Sequence, residues 1–201
     1  MLSRYFQERL LYRLSVSEYK DRFILKGGAL LYAHDGFQAR PTLDIDFMAR
    51  RISNDAENIK GIFSEICQID CPEDGLTFDS DTIETGEIAI TKEYHGVRVS
   101  LMAHLDTAQQ LISMDVGFGD VITPYPQQLA FPALIDTVPG TTILAYSLET
   151  VVAEEFFTDA NRNLYWEGFL RRIKFGETLS FVAVGELIRN RLQPYWEGLR
   201  G

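Results

Sequence analysis

The stretch Phe23-Ile24-Leu25-Lys26-Gly27-Gly28-Ala29-Leu30, taken with Leu43-Asp44-Ile45-Asp46-Phe47, decides how this chain is read. Arg22 to Gly28 predicts a short apolar strand ending in a glycine pair, and Ala29 to His34 resumes as a helix that stops near Gly36. Leu43 to Ala49 alternates apolar and acidic residues over its first five positions, as a half-buried strand does. Alternate strand residues share a face, so Asp44 and Asp46 point the same way, about 7 Å apart along the chain. Two acids beside Ile45 and Phe47 repel each other unless a positive charge lies between them. A hard divalent cation meets that need, and Mg2+ is the usual ion where phosphates are handled. Backbone N–H groups where Gly27-Gly28 opens a helix suit an anion such as triphosphate. Taken alone, Asp-x-Asp also occurs on solvated strand edges and Gly-Gly in ordinary turns. The order of the features is what points to a metal and phosphate site.

Working outward, Leu2 to about Leu14 predicts an amphipathic helix through Leu2, Phe6, Leu10, Leu11 and Leu14, interrupted by Ser15-Val16-Ser17. Asn54 to Ile66 predicts another, with Ile59, Ile62, Phe63 and Ile66 on its buried face. From Leu76 the pattern turns to β. Glu87–Lys92 and Val97–Met102 read as a hairpin around Glu93-Tyr94-His95-Gly96. Gln110 to Val116 is a further strand carrying Asp115, broken by Gly117-Phe118-Gly119-Asp120. If it adjoins the Asp44–Asp46 strand, three carboxylates converge. Thr123 to Gly140, with Pro124, Pro126, Pro132 and Pro139, predicts a rigid extended connection. Ser147 then caps a helix, and the remainder reads as mostly helical. The expected organisation is an α+β body over residues 1–145 and a small helical region over 146–201.

The chain has 201 residues, 46% hydrophobic and 24% charged, enough for one domain with a helical appendage. Lys+Arg 19 against Asp+Glu 29 gives a net charge of -10, which argues against a phosphate-tracking surface over the whole protein. No apolar run reaches the roughly 20 residues of a membrane span, and the N-terminal residues do not resemble a signal peptide. Cys67 and Cys71 are too few for a disulfide framework. A cytoplasmic protein without membrane association is expected. Cys67-x-x-x-Cys71 lacks a second pair, and His34, His95 and His104 lack ligand spacing, so zinc is not expected. No Gly-x-Ser-x-Gly elbow is present.

Four strings carry a family resemblance: Phe23 to Leu30, Arg40-Pro41-Thr42-Leu43-Asp44-Ile45-Asp46-Phe47, Asp115-Val116-Gly117-Phe118-Gly119-Asp120, and Tyr146-Ser147-Leu148-Glu149-Thr150-Val151-Val152-Ala153-Glu154. In this order they resemble the AbiEii-type toxins of type IV toxin–antitoxin systems, within the nucleotidyltransferase superfamily typified by DNA polymerase beta. The resemblance implies a mixed β-sheet flanked by helices. It also implies an enzyme that transfers a nucleoside monophosphate from an NTP to an RNA 3′ end (such as a tRNA acceptor stem) or to a protein hydroxyl, and a partner antitoxin. Asp44, Asp46 and Asp115 would be the catalytic carboxylates and the ligands of two Mg2+ ions. Lys26, Gly27, Gly28, Arg40 and Thr42 would bind the nucleotide, Arg40 and Thr42 having surface and strand-entry roles as alternatives.

The C-terminal part departs from the family. The helix after Ser147 usually continues into Ala-Glu-Lys, whereas this chain has Ala153-Glu154-Glu155, and no later Lys-Asp motif appears. Only Lys174 among the lysines lies in the C-terminal half, although Arg162, Arg171, Arg172, Arg189 and Arg191 make the region locally basic. A missing cation weakens phosphoryl transfer. A catalytically impaired remnant that binds nucleotide or a partner is therefore the alternative, and a metal-dependent nuclease using the same acids is the third reading.

Overall fold

The computed structural model describes residues 2–35, 42, 44–89, 95–119, 125–147 and 150–151. The chain divides into two units, Met1–Tyr146 and Ser147–Gly201. In chain order the first contains α1 (Leu2–Val16), β1 (Phe23–Lys26), α2 (Gly27–Asp35), β2 (Asp44–Ala49), α3 (Ala56–Cys67), a 3-10 turn (Pro72–Asp74), β3 (Leu76–Ala89), β4 (His95–Leu105), β5 (Ala108–Phe118), β6 (Gln127–Phe131) and β7 (Thr141–Ala145). The strands form one sheet in the order β3-β4-β5-β2-β1-β7-β6. Two neighbouring pairs, β2 with β5 and β1 with β7, run parallel, and the other four pairs antiparallel. This is the mixed sheet flanked by helices that the α+β reading requires.

Strand alternation sets the two faces of the central sheet. Ile45 and Phe47 of β2, Ile112, Met114 and Val116 of β5, and Val97, Val99 and Leu101 of β4 are buried. They form a core with α1 and α3, both of which pack on the sheet. Phe23, Phe47 and Phe63 meet at its centre, with ring centroids 5.3 to 6.5 Å apart. Between the buried positions stand Asp44 and Asp46, Ser113 and Asp115, and Arg98 and Ser100, all on the opposite face.

The α3 reading holds in detail. Asp55 is the N-cap, its side chain accepting the Asn58 N–H at 2.8 Å, and Ile59, Ile62, Phe63 and Ile66 are buried. Helix α1 runs past Ser15 to Val16, and the Ser15 and Ser17 hydroxyls donate back to the Tyr12 and Leu14 carbonyls at its end. Its burial also exceeds an amphipathic pattern: Glu8, Arg9 and Arg13 are buried with the apolar residues.

Several β boundaries differ from expectation. His95 and Gly96 belong to β4, paired with Ala89 and Ile88, and are not turn residues. Strand β5 passes through Gly117 and Phe118, where Met48 and Gly96 flank Gly117 on both sides and continue the ladder. A second hairpin joins β4 to β5 at Asp106-Thr107, with Asp106 at φ 52. The proline-rich connection contains β6 between Pro126 and Pro132, which among the described strands is an edge strand paired with β7 alone, and prolines can flank a ladder there. Beyond Tyr146, Ser147 acts as expected: its hydroxyl accepts the Thr150 N–H at 3.2 Å, and its carbonyl accepts the Val151 N–H at 3.1 Å. The continuation from 152 to 201, with Glu155 and the basic residues, lies outside the described residues, as do Gly36, Arg40 and Asp120. No helix among the described residues is long and apolar enough to cross a membrane.

Candidate functional site

A charged row crosses four strands on the open face. Lys26 of β1 stands opposite Asp46 of β2, Asp46 opposite Asp115 of β5, and Asp115 opposite Arg98 of β4. Asp44 lies two residues along β2, opposite Ser113, which in turn faces Ser100. The topology thus meets the condition set by the sequence: the Asp115 strand is the parallel neighbour of the Asp44–Asp46 strand.

Asp46 is the most constrained member. Burial, then the Asp115 and Asp44 carboxylates, push its pKa up to about 6 from an ordinary 3.8, against the opposing pull of Lys26 and the Gly28 N–H. That N–H donates to Asp46, so one of the amides expected to cradle phosphate holds a carboxylate at the start of α2. Gly27 has φ +62, and a Cβ there would overlap the Asp46 carboxylate. Only glycine satisfies both conditions. A Cβ on Gly28 would fall 2.9 Å from the Thr42 Cβ.

Thr42 serves the strand entry. Its hydroxyl donates to the Asp44 carbonyl at 2.9 Å, and its own carbonyl accepts from Gln7 Nε2 at 3.3 Å. The Lys26 ammonium lies 5.9 Å from the Tyr146 ring centroid, and the Tyr146 N–H donates to the Leu25 carbonyl at 3.0 Å. Lys26 is therefore placed between an aromatic face and Asp46.

Arg98 was not among the expected site residues. Its Nε donates to Asp115 Oδ1 and its Nη2 to Oδ2, each at 2.7 Å. Asp115 holds the guanidinium well above its usual range, with Asp44 and Asp46 adding to the effect. A signal was present: Val97-Arg98-Val99 places one charge between buried residues, as Ile45-Asp46-Phe47 and Met114-Asp115-Val116 do.

The donor chemistry fits a hard cation, since three carboxylates share one face and Asp46, raised first by burial, is raised further by Asp115 and Asp44. Among the described residues, however, no group of three His, Cys, Asp or Glu side chains is already assembled around a metal position. Both Asp115 oxygens are directed to Arg98 instead. Cys67 and Cys71 are free and buried, and burial pushes the Cys67 thiol up to about 12.

The sheet, the glycine-started helix and the acidic row describe a nucleotidyltransferase-type domain. A family model for the nucleotidyl transferase AbiEii toxin of type IV toxin–antitoxin systems matches residues 9–163, and the chain belongs to that family. Among solved structures it is similar to JHP933 from Helicobacter pylori, at 14% identity and a TM-score of 0.46 over 83% of this chain. It is also similar to a provisionally assigned nucleotidyltransferase from H. pylori, at 13% identity and a TM-score of 0.48 over 84% of this chain. The chain spans 66% of the length of each of these two proteins. No curated protein matches it.

Proposed function

We propose that the chain is a nucleotidyltransferase of the toxin type, which moves a nucleoside monophosphate from an NTP to an acceptor hydroxyl. The observation that carries this reading is the register of Asp46 against Asp115 in adjacent parallel strands, beside a helix that begins at Gly27. Asp44, Asp46 and Asp115 would hold the two Mg2+ ions, which supply charge neutralisation at the reacting phosphate. Gly27 and Gly28 let Asp46 and Thr42 close against the start of α2, beside which the phosphates would bind, and Lys26 offsets charge beside Asp46. In the reaction the acceptor oxygen bonds to the α-phosphorus, the α–β bridging P–O bond breaks, and pyrophosphate leaves. Asp115 would accept the hydroxyl proton, which requires one of its oxygens to leave the Arg98 contact. An RNA 3′ end or a protein side chain is the acceptor, an antitoxin the regulatory partner, and the cytoplasm the compartment.

A second reading keeps the fold and drops the turnover. It is favoured by Glu155 at the position where the family carries lysine and by the missing Lys-Asp motif. Labelled NTPs, Mg2+ and total RNA or protein extract separate the two. Label transfer that falls at least about 100-fold in Asp44→Ala supports the enzyme, in line with removal of a charge-stabilising group. Transfer that survives the substitution contradicts the mechanism. Nucleotide binding without transfer supports the remnant, and RNA shortening without label supports a nuclease.

A further inference from the structure

Arg98 is the one member of the charged row that the reading above leaves without a task. We infer that Arg98 closes Asp115 to divalent cations in the unloaded site and passes its guanidinium to the nucleotide phosphates when the site fills. This rests on the nucleotidyltransferase reading of the same site.

The geometry supports a hand-over in several ways. The contact is bidentate, at 2.7 Å on both oxygens, and uses Nε and Nη2 while leaving Nη1 outside it. A cation approaching Asp115 therefore meets a guanidinium of like charge already seated on the ligand atoms. The pair is also accessible: the Arg98 side chain is 50% exposed and the Asp115 side chain 20%. Water reaches the guanidinium side of the pair, so a competing anion can approach it without unfolding the strand, although the bidentate contact itself is of the strong kind. A planar fork binds phosphate oxygens as well as it binds a carboxylate, so the nucleotide offers Arg98 an equivalent partner. Only the side chain needs to move, because Val97 and Val99 anchor β4 in the core on either side of it. Arg98 would then supply positive charge to phosphates in a chain whose lysines are scarce beyond residue 100. In the unloaded state Arg98 is a positioning residue that acts through Asp115.

The test compares wild type, Arg98→Gln and Arg98→Lys in two binding measurements that need no turnover. The first titrates Mn2+ alone, following the free ion by electron paramagnetic resonance. The second titrates inorganic tripolyphosphate at saturating Mg2+ by calorimetry. Arg98→Gln should bind Mn2+ about tenfold more tightly, the scale on which partners of metal ligands act, and bind tripolyphosphate severalfold more weakly. Arg98→Lys, which keeps the charge without the fork, should fall between. A merely structural role would move both affinities in one direction. Unchanged or weaker Mn2+ binding in Arg98→Gln overturns the inference, as does an unmoved tripolyphosphate affinity. Neither result touches the metal site itself. Mn2+ binding that is absent throughout, or that survives Asp46→Asn, overturns the parent reading instead.

Discussion

Two clusters in this molecule are each built from two cations and two carboxylates, and they have opposite characters. The first is buried. Asp74 accepts from Arg9 Nε at 2.9 Å and from Arg13 Nη1 at 2.7 Å, with Arg13 Nη2 on its other oxygen at 3.2 Å. Glu8 Oε1 lies 3.5 Å from Arg9 Nη1, and Glu8 Oε2 accepts the Leu134 N–H. Other guanidinium donors reach the Pro139, Ile69 and Leu76 carbonyls and the Cys71 sulfur, which tie α1 to the residues around the 3-10 turn and to the segment before β7. The second cluster is the open row of Lys26, Asp46, Asp115 and Arg98, where two carboxylates stand side by side and a third lies close by. In the first, burial pairs Asp74 with both guanidinium groups, because an unpaired charge there is costly, while Glu8 Oε1 has the 3.5 Å approach of Arg9 but, among the described residues, no hydrogen bond. The second keeps crowded acids that a ligand can relieve. The same residue types therefore serve as a clamp in one place and as a binding site in the other.

The sharpest way to break the contrast is to remove one acid from each cluster. Asp74→Ala leaves two buried guanidinium groups without their carboxylate and should cost about 3–5 kcal/mol in urea unfolding. Asp115→Ala, in a half-exposed pair, should change stability by less than about 1 kcal/mol. Equal losses would erase the distinction.

Gly27→Ala is next in size. It forces a side chain into the φ +62 conformation and into the Asp46 carboxylate, and should cost about 2 kcal/mol or more while lowering nucleotide affinity. An alanine variant with wild-type melting and nucleotide binding would show that the glycine turn does not hold Asp46.

The smallest effect has the opposite sign. Asp46 titrates near 6 in the fold against an ordinary 3.8, so the folded state holds its proton more tightly than the unfolded chain. Its contribution is fully favourable below 3.8 and is lost as pH rises through about 6. Asp46→Asn should therefore stabilise the metal-free protein by about 1 kcal/mol at pH 7–8, with no gain at pH 4, in thermal melts. Asp74 runs the other way. Burial alone would raise it, but the Arg13 and Arg9 hydrogen bonds and the Leu76 N–H hold it below 3.8. Its contribution is present above 3.8 and fades as pH falls through the depressed value, so Asp74→Asn should destabilise at neutral pH.

What could be read from the chain alone was whatever is local. Asp44-x-Asp46 and Gly27-Gly28 reveal themselves by alternation and by backbone freedom, within a few residues. The adjacency of β2 and β5 joins segments about 70 residues apart, and spacing left it conditional. Arg98 was missed because its meaning depends on the register of β4 against β5. Arg9 and Arg13 look like the solvated side of an amphipathic helix until Asp74, some 60 residues on, is placed beside them. Strand β6 escaped notice because five residues between prolines carry too short a pattern to register. In each case the missing information was long-range pairing, which composition and periodicity do not encode.

The central claim, that the open row is where metal and nucleotide meet, is tested most directly by crystals soaked with Mn2+ and a non-hydrolysable NTP. Anomalous scattering should place the ion about 2–2.3 Å from carboxylate oxygens of Asp44 and Asp46, with the phosphates at the start of α2. Nucleotide and metal bound elsewhere on the protein, with these carboxylates untouched, would contradict it.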